Sequence, residues 1–377
     1  MKHNLDYIDI QLGKIRKNNI YRKINYVGIS GPYVTINSKR LINLSSNDYL
    51  GIKPPKILNS QNQSSSRLVS GNSESFKILE NKLAKHKSQE TSLIFPTGYM
   101  ANLGVISSII GKNDLVISDE LNHVSIIEAC KLSGAKVSIF RHNDMDDLSR
   151  KTKRNGKRKF IITEGIFSMD GDFSNLEIIS EIAQKNNSVL ILDDAHGDFV
   201  VGNDGKGTGN HFGISKKIDV YISSLSKGLG SFGGYIASQK NVTELCINNS
   251  KSFIYTSALP EFFVQDANKR FDSNREIKRK KLWENVKIFS SELEKIGYNS
   301  KSNSHIIPII IGQEKTAMEF SSYLFKNGIY TQAIRYPTVK KNQARIRISI
   351  TGWLSEKEIE YSIQILEKAK RRFNLNN

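Results

Sequence analysis

The chain is poor in cysteine: two in 377 residues, Cys130 and Cys246, far apart and in no metal-ligand spacing. That excludes a disulfide-stapled scaffold and points to a reducing, cytoplasmic compartment. No apolar run approaches the ~20 residues needed to span a bilayer. The opening Met1-Lys-His-Asn-Leu-Asp-Tyr7 lacks the apolar core of a secretion signal. Low-complexity tracts and internal repeats are missing. Acidic residues fall short of basic ones, leaving a net charge of +18. Such a balance suits an anionic partner, but enrichment in Lys, Asn and Ile along the whole chain produces the same number. The densest basic runs, Lys151–Lys159 and Arg275–Lys281, carry no interleaved aromatic residues for base stacking, so nucleic-acid binding is not expected. With 38% hydrophobic and 24% charged residues, the chain can build one large domain and a smaller one.

Short apolar runs alternate with amphipathic stretches through the middle. Strands are expected at Ser92–Phe95, Leu115–Ser118, Lys136–Phe140, Lys159–Thr163, Val189–Asp193, Val220–Ser223 and Gly234–Ala237. Helical patterns fall at Phe76–Lys87, Gly98–Ile110, Val124–Ser133 and Leu176–Asn186. Strands separated by helices predict an α/β fold, a largely parallel sheet covered on both faces. A long charged helix is expected over Glu261–Ile296. A small α+β unit follows, with strands at Ile306–Ile311, Ile329–Ile334 and Arg345–Ile350 and helices at Lys315–Lys326 and Glu356–Arg372. The domain reading is therefore an N-terminal segment (1–45), a large domain (46–260), and an interdomain helix with a C-terminal domain (261–377).

In such sheets ligands gather beyond the carboxyl ends of the strands. Three chemically capable residues fall there. Lys227 ends the run Asp219-Val-Tyr-Ile-Ser-Ser-Leu-Ser-Lys227 and is followed by Gly228, Gly230, Gly233 and Gly234. A lysine at a strand mouth with little bulk around it suits imine chemistry, because partial desolvation favours the free, nucleophilic amine. Ser188-Val-Leu-Ile-Leu delivers Asp193, Asp194 and His196, and Phe160-Ile-Ile-Thr delivers Glu164. An amine and a carboxylate at neighbouring strand ends are what pyridoxal phosphate (PLP) requires: one binds the aldehyde, the other keeps the pyridine nitrogen protonated. Phe95-Pro-Thr-Gly-Tyr-Met-Ala-Asn102 adds a strand-to-helix turn whose N–H groups suit phosphate, although a plain structural turn has the same composition.

Other chemistries share these residues. Gly228-x-Gly230-x-x-Gly233 matches a dinucleotide fingerprint, but it runs into an expected strand instead of a helix. Ser224-x-x-Lys227 matches a serine–lysine acyl-transfer motif whose companion motifs are missing. Asp193, Asp194, His196 and Asp198, with His123 and Glu164, are types that ligate metals, so a metal-dependent hydrolase is the rival from another class. Arg345-Ile-Arg-Ile-Ser-Ile350 puts two arginines on one strand face, fit for a substrate carboxylate or for ordinary ion pairing.

The assembled blocks resemble the α-oxoamine synthases, fold-type-I PLP enzymes that condense an amino acid with an acyl thioester and release carbon dioxide. The resemblance runs from about Ile20 to Leu366. It is carried by Asn43-Leu-Ser-Ser-Asn-Asp-Tyr-Leu-Gly51, Arg67-Leu-Val-Ser-Gly-Asn72, Phe95–Asn102, Asp119-Glu-Leu-Asn-His123, Thr163–Asp172, Asp193-Asp-Ala-His-Gly197 and Ser224-Leu-Ser-Lys-Gly228. It implies a large PLP-binding domain around a mostly parallel seven-stranded sheet, plus the small C-terminal domain. Lys227, His123, Asp193 and His196 are the implied catalytic residues. Lys227 binds the cofactor and removes the α-proton, Asp193 pairs with the pyridinium, and His123 stacks on the ring. His196 and Ser168 hold the phenolic oxygen beside Glu164. Gly98, Tyr99 and Ser224 serve the phosphate, with Ser257 from a second subunit, since family members are homodimers. Asn47 and Arg347 are the implied carboxylate binders, and Arg22 contacts the acyl substrate. Thr331-Gln-Ala-Ile-Arg-Tyr-Pro-Thr-Val339 is most similar to the branch serving biotin synthesis, implying L-alanine and a pimeloyl thioester on coenzyme A or acyl carrier protein. Sister branches that use glycine, serine or other acyl groups are the alternative. The segment between Leu50 and Arg67 is shorter than usual for the family.

Overall fold

The computed structural model of the chain describes residues 4–57, 64–299 and 302–375. Its strands are β1 Gly28–Ser30, β2 Tyr33–Ile36, β3 Lys39–Asn43, β4 Thr91–Phe95, β5 Leu115–Asp119, β6 Lys136–Phe140 and β7 Lys159–Glu164. They continue with β8 Ser188–Asp193, β9 Val220–Ser224, β10 Gly234–Ser238, β11 Ile306–Gly312, β12 Ile329–Tyr330, β13 Ala333–Ile334 and β14 Ala344–Ser349. The first four helices are α1 Asp6–Lys17, α2 Glu74–Lys87, α3 Gly98–Ile109 and α4 Val124–Ser133.

The chain divides into two compact units. One holds residues 47–168 and 172–281, the other residues 1–46, 169–171 and 282–377. The division falls inside the helix Arg275–Lys295, not at 260/261, and the N-terminal segment shares a unit with the C-terminal part. Part of the short Leu50–Arg67 segment, residues 58–63, lies outside the described residues.

The larger unit is built on a seven-stranded sheet of order β4-β10-β9-β8-β7-β5-β6. Strands β5 to β9 pair in parallel, and β10 runs antiparallel to both β4 and β9. All seven expected strands are present, each within a residue or so of the predicted limits. Their legibility has a cause: a parallel sheet is buried on both faces, so its strands are continuous apolar runs without alternation. Strands β5, β9 and β10 are buried throughout, whereas the edge strand β6 exposes Lys136, Val137 and Ile139. Val105 and Ile106 of α3, Ile126 of α4, and Ile162, Ile191, Ile222 and Ile236 from the strands meet in one core. Thr97 caps α3 by accepting from Met100 N at 3.1 Å, and α4 stops at Gly134, whose φ of 69° lies in the left-handed region.

In the smaller unit β11, β14 and β13 form one antiparallel sheet, while β1, β2, β3 and β12 form another. The single strand expected over Ile329–Ile334 is therefore two short ones in different sheets. The helix expected over Glu261–Ile296 is likewise two, Glu261–Phe271 and Arg275–Lys295. Asp272-Ser-Asn274 interrupts it, with Ser273 Oγ donating back to Arg270 O at 2.6 Å, the local competition that makes such residues poor in helix interiors.

Candidate active site

Strands β7, β8 and β9 are neighbours, and their carboxyl ends put Glu164 opposite Asp193 and Asp193 opposite Ile222. Beyond those ends the chain assembles a cluster within the larger unit. Asp193, 6% exposed, accepts from Asn102 Nδ2 at 2.7 Å through Oδ2 and from Ala195 N at 3.0 Å through Oδ1. One donor comes from α3 and the other from the loop itself, so two neutral N–H donors fix the orientation of the carboxylate. Lys227 Nζ lies 2.7 Å from His196 Nε2. On the other side of that ring, Nδ1 lies 2.6 Å from the Tyr49 hydroxyl, which is 3.1 Å from Asn47 Oδ1. Asn47, Tyr49, His196 and Lys227 thus form one continuous polar chain.

Glu164 is buried, and its Oε1 has no hydrogen-bond partner among the described residues. Burial first, then the Asp193 charge, raises its pKa well above the carboxylate range; Lys227 opposes both. Burial lowers the His123 pKa, with the Asp193 charge opposing the shift and the Lys227 charge adding to it. His123 begins α4 and uses Nδ1 to accept from Ser125 N at 3.3 Å, leaving an exposed ring edge-on to Tyr99 at 6.4 Å. Ser168 is half-buried on the loop beyond Glu164.

The start of α3 closes against the sheet. A Cβ on Gly234 would sit 2.3 Å from Gly98 N, so only glycine allows β10 to pass this helix end. Ser224 lies beside the same turn, 3.3 Å from where a Gly98 Cβ would stand, and its hydroxyl pairs with Ser226 Oγ at 2.8 Å. Tyr99 is exposed next to Gly98. Ser257 is also exposed, near Tyr255 at 82% exposure, on a surface outside this cluster's hydrogen bonds.

The remaining sequence-predicted residues belong to the smaller unit. Arg347 on β14 donates to Ser349 Oγ at 3.0 Å, and Arg22 donates to Thr338 Oγ1 at 3.3 Å. Arg345, on the same strand face as Arg347, is paired with Asp170 and with Met169 O at 3.4 Å, so ion pairing accounts for it.

The rival chemistries lose their geometry. Asp194 takes Lys87 Nζ at 3.0 Å and Thr208 Oγ1 at 2.7 Å, while Asp198 takes Lys87 Nζ at 2.6 Å. Both carboxylates are thereby spoken for, and among the described residues no group of three or more His, Cys, Asp or Glu is arranged to hold a metal ion. The glycine run after Lys227 enters β10, a strand, so the helix a dinucleotide fingerprint needs is not there. Ser224 is engaged with Ser226 and Gly233 O, and Lys227 with His196.

Sequence reasoning passed over three residues that build this region, Tyr49, Asn102 and Lys87, and weighed Asp198 only as a metal ligand. Tyr49 and Asn102 sat inside quoted motifs, where only their neighbours looked chemically apt. Lys87 sat in a helix rich in lysine, and nothing in the pattern marked it as buried.

The described groups fit PLP. A fixed carboxylate, a strand-end lysine bonded to an imidazole, an orphaned buried Glu164 oxygen and a glycine-lined helix start are the donor set that group needs. Comparison with known proteins agrees. The family model described as aminotransferase class I and II matches residues 39–366. The 8-amino-7-oxononanoate synthase of Thermoanaerobacter pseudethanolicus is 38% identical over 99% of both chains, and the 8-amino-7-oxononanoate synthase 1 of Bacillus subtilis is 34% identical over 100% of both. Among solved structures, serine palmitoyltransferase of S. paucimobilis with bound PLP–myriocin aldimine superposes with a TM-score of 0.91 at 25% identity, covering 99% of this chain and 100% of that one. The Francisella tularensis 8-amino-7-oxononanoate synthase gives 0.74 at 26% identity, covering 89% and 99%. The chain belongs to the aminotransferase class I and II family and, within it, to the α-oxoamine synthases, PLP-dependent acyltransferases.

Proposed function

We propose that this enzyme condenses L-alanine with a pimeloyl thioester, on coenzyme A or acyl carrier protein, releasing carbon dioxide and giving 8-amino-7-oxononanoate for biotin. The observation that carries the reading is the Lys227–His196 contact together with the fixed Asp193 carboxylate, at the carboxyl ends of the adjacent strands β8 and β9, in a chain whose full-length relatives bear that synthase name. PLP, when bound, supplies an electron sink for the negative charge that develops at the amino-acid α-carbon. Lys227 would hold it through Nζ, and the same amine is the base for the α-proton of alanine. Asp193, fixed by Asn102 and Ala195 N, would keep the pyridine nitrogen protonated. His196, positioned by Tyr49, would offer Nε2 to the cofactor's phenolic oxygen, with Ser168 and the buried Glu164 assigned beside it. His123 would cover the ring face, and Gly98, Tyr99 and Ser224 would take the phosphate at the α3 start. Asn47 and Arg347 bind the alanine carboxylate, and Arg22 contacts the acyl chain. A cytoplasmic homodimer completes the reading, with Ser257 serving the phosphate of the partner's site; the bare Tyr255 surface beside it supports a covering subunit. No helix among the described residues is long and apolar enough to cross a membrane.

The sister branch stays in view because serine palmitoyltransferase superposes so closely. Spectral titration of the holoenzyme with alanine, glycine, serine and threonine, followed by thiol release from pimeloyl- and palmitoyl-coenzyme A, separates them. Alanine with the pimeloyl donor should give the largest response; a response to glycine or serine but not alanine would move the assignment to a sister enzyme.

A further inference from the structure

Behind the loop that carries Asp193 and His196 lies a buried set of charges that the reaction does not use. Asp198 is fully buried and accepts from Lys87 Nζ at 2.6 Å, His86 Nε2 at 3.0 Å, Ser223 Oγ at 2.7 Å and the Tyr235 hydroxyl at 2.5 Å. Lys87 also reaches Asp194 and Lys206 O, both at 3.0 Å. Arg275, whose guanidinium stacks over Phe199 at 5.4 Å, adds a second cation facing Asp198. Burial opposes every one of these charges; mutual attraction still holds Asp198 low and Lys87 high, whereas burial wins at His86, which is lowered, and at Asp194, which is raised to about 6.

Its position gives the network a task. Asp198 lies just beyond His196, on the loop after β8. Ser223 is on β9, the strand that runs to Lys227. One carboxylate therefore bridges the two segments whose side chains meet at 2.7 Å. Packing there is tight, since a Cβ on Gly228, the residue after Lys227, would stand 2.4 Å from Asp198 O. The next residue, Phe199, has a φ of 64°, left-handed backbone that a bulky side chain disfavours. Asp198 Oδ1 accepts from Phe199 N at 3.1 Å, and the Phe199 ring stacks on His86 at 4.8 Å, so the same network retains the strained turn.

We propose that Asp198, held by Lys87, is a positioning residue for the reaction: it fixes the loop after β8 so that His196 Nε2 meets Lys227 Nζ. This rests on the reading of Lys227 and His196 as the reacting pair. The test uses PLP-loaded Asp198→Asn, which removes the charge at constant shape, and Ser223→Ala, which cuts the link to β9 and leaves the Lys87 pair intact. Three quantities are read well below the melting temperature: the pH midpoint of the visible cofactor band, kcat, and KM for alanine. A displaced loop predicts a midpoint shift of about half a pH unit or more and a kcat lowered about tenfold or more in Asp198→Asn, with a smaller change of the same kind in Ser223→Ala and KM little changed. If both variants melt earlier but keep the parent midpoint and kcat, the network serves stability alone and the proposal fails. Should Asp198→Asn not fold, Ser223→Ala decides by the same criterion. The identical titration on Lys227→Ala separates this failure from the other: a parent-like band there overturns the reading of Lys227, and the proposal with it.

Discussion

Asp193→Asn isolates the charge at the centre of the chemistry. The substitution keeps the shape, and its carbonyl still accepts from Ala195 N. Its new amide meets Asn102 Nδ2, donor against donor, but Asn102 Oδ1 is buried with no partner among the described residues. Turning the Asn102 amide over restores a hydrogen bond, so the stability loss should stay near ~1 kcal/mol, the net worth of one such bond. The functional loss is larger. An opposite charge within hydrogen-bonding reach raises the pKa of a protonated nitrogen by about 1–3 units, and each unit is about 1.4 kcal/mol. Removing it should lower turnover by about 10- to 10³-fold if the α-carbanion needs the protonated ring throughout. Steady-state turnover with alanine and pimeloyl-coenzyme A, solvent-deuterium exchange at the alanine α-carbon, and thermal melting measure both effects on one preparation. Turnover within about twofold of the parent, at unchanged melting temperature, would refute the role of Asp193.

Other consequences follow from neighbouring contacts. Asn102→Leu removes a neutral donor to a charged acceptor, worth about 1.5–3 kcal/mol, so turnover should fall by about 10- to 100-fold; parent-like turnover would show that Ala195 N alone orients Asp193. Tyr49→Phe removes the hydroxyl that sets His196, and kcat should fall by about tenfold or less with no change in cofactor content; a loss of PLP instead would assign Tyr49 to binding. His142 bridges Asp119 at 3.0 Å and Asp172 at 2.7 Å, clamping the His123 loop to the segment that follows β7. Burial pulls its pKa down, but the two carboxylates outweigh burial and push it up to about 10. Since the folded value is raised, the clamp contributes fully below about pH 6.5 and is lost as pH rises through about 10. His142→Asn should therefore melt earlier at neutral pH, with the gap to the parent closing toward pH 10; a gap independent of pH would contradict the charged clamp.

The sequence revealed what continuous burial writes into it. Runs such as Phe160-Ile-Ile-Thr are strands because both faces are covered, and Glu164, Asp193 and Lys227 stand out as the polar residues at their ends. Strand order was not legible: β10 inserts between β4 and β9 in antiparallel sense, a pairing with no local signature. Asp272-Ser-Asn274 carried a readable break signal, but the charged pattern on either side masked it. Thr331-Gln332 likewise looked continuous with its apolar flanks, although β12 and β13 join different sheets. In the site, Lys87 was the hardest residue to see. Lys82-Leu-Ala-Lys-His-Lys87 looks like a solvated helix face, and only the fold brings its last lysine onto Asp194 and Asp198.

Reductive trapping tests the central claim most directly. Borohydride treatment of the PLP-loaded enzyme, followed by peptide mass mapping, should place the whole cofactor label on Lys227 and abolish turnover, while Lys227→Ala should take up no label. A label on another lysine, or full turnover from the Lys227→Ala enzyme, would contradict the account.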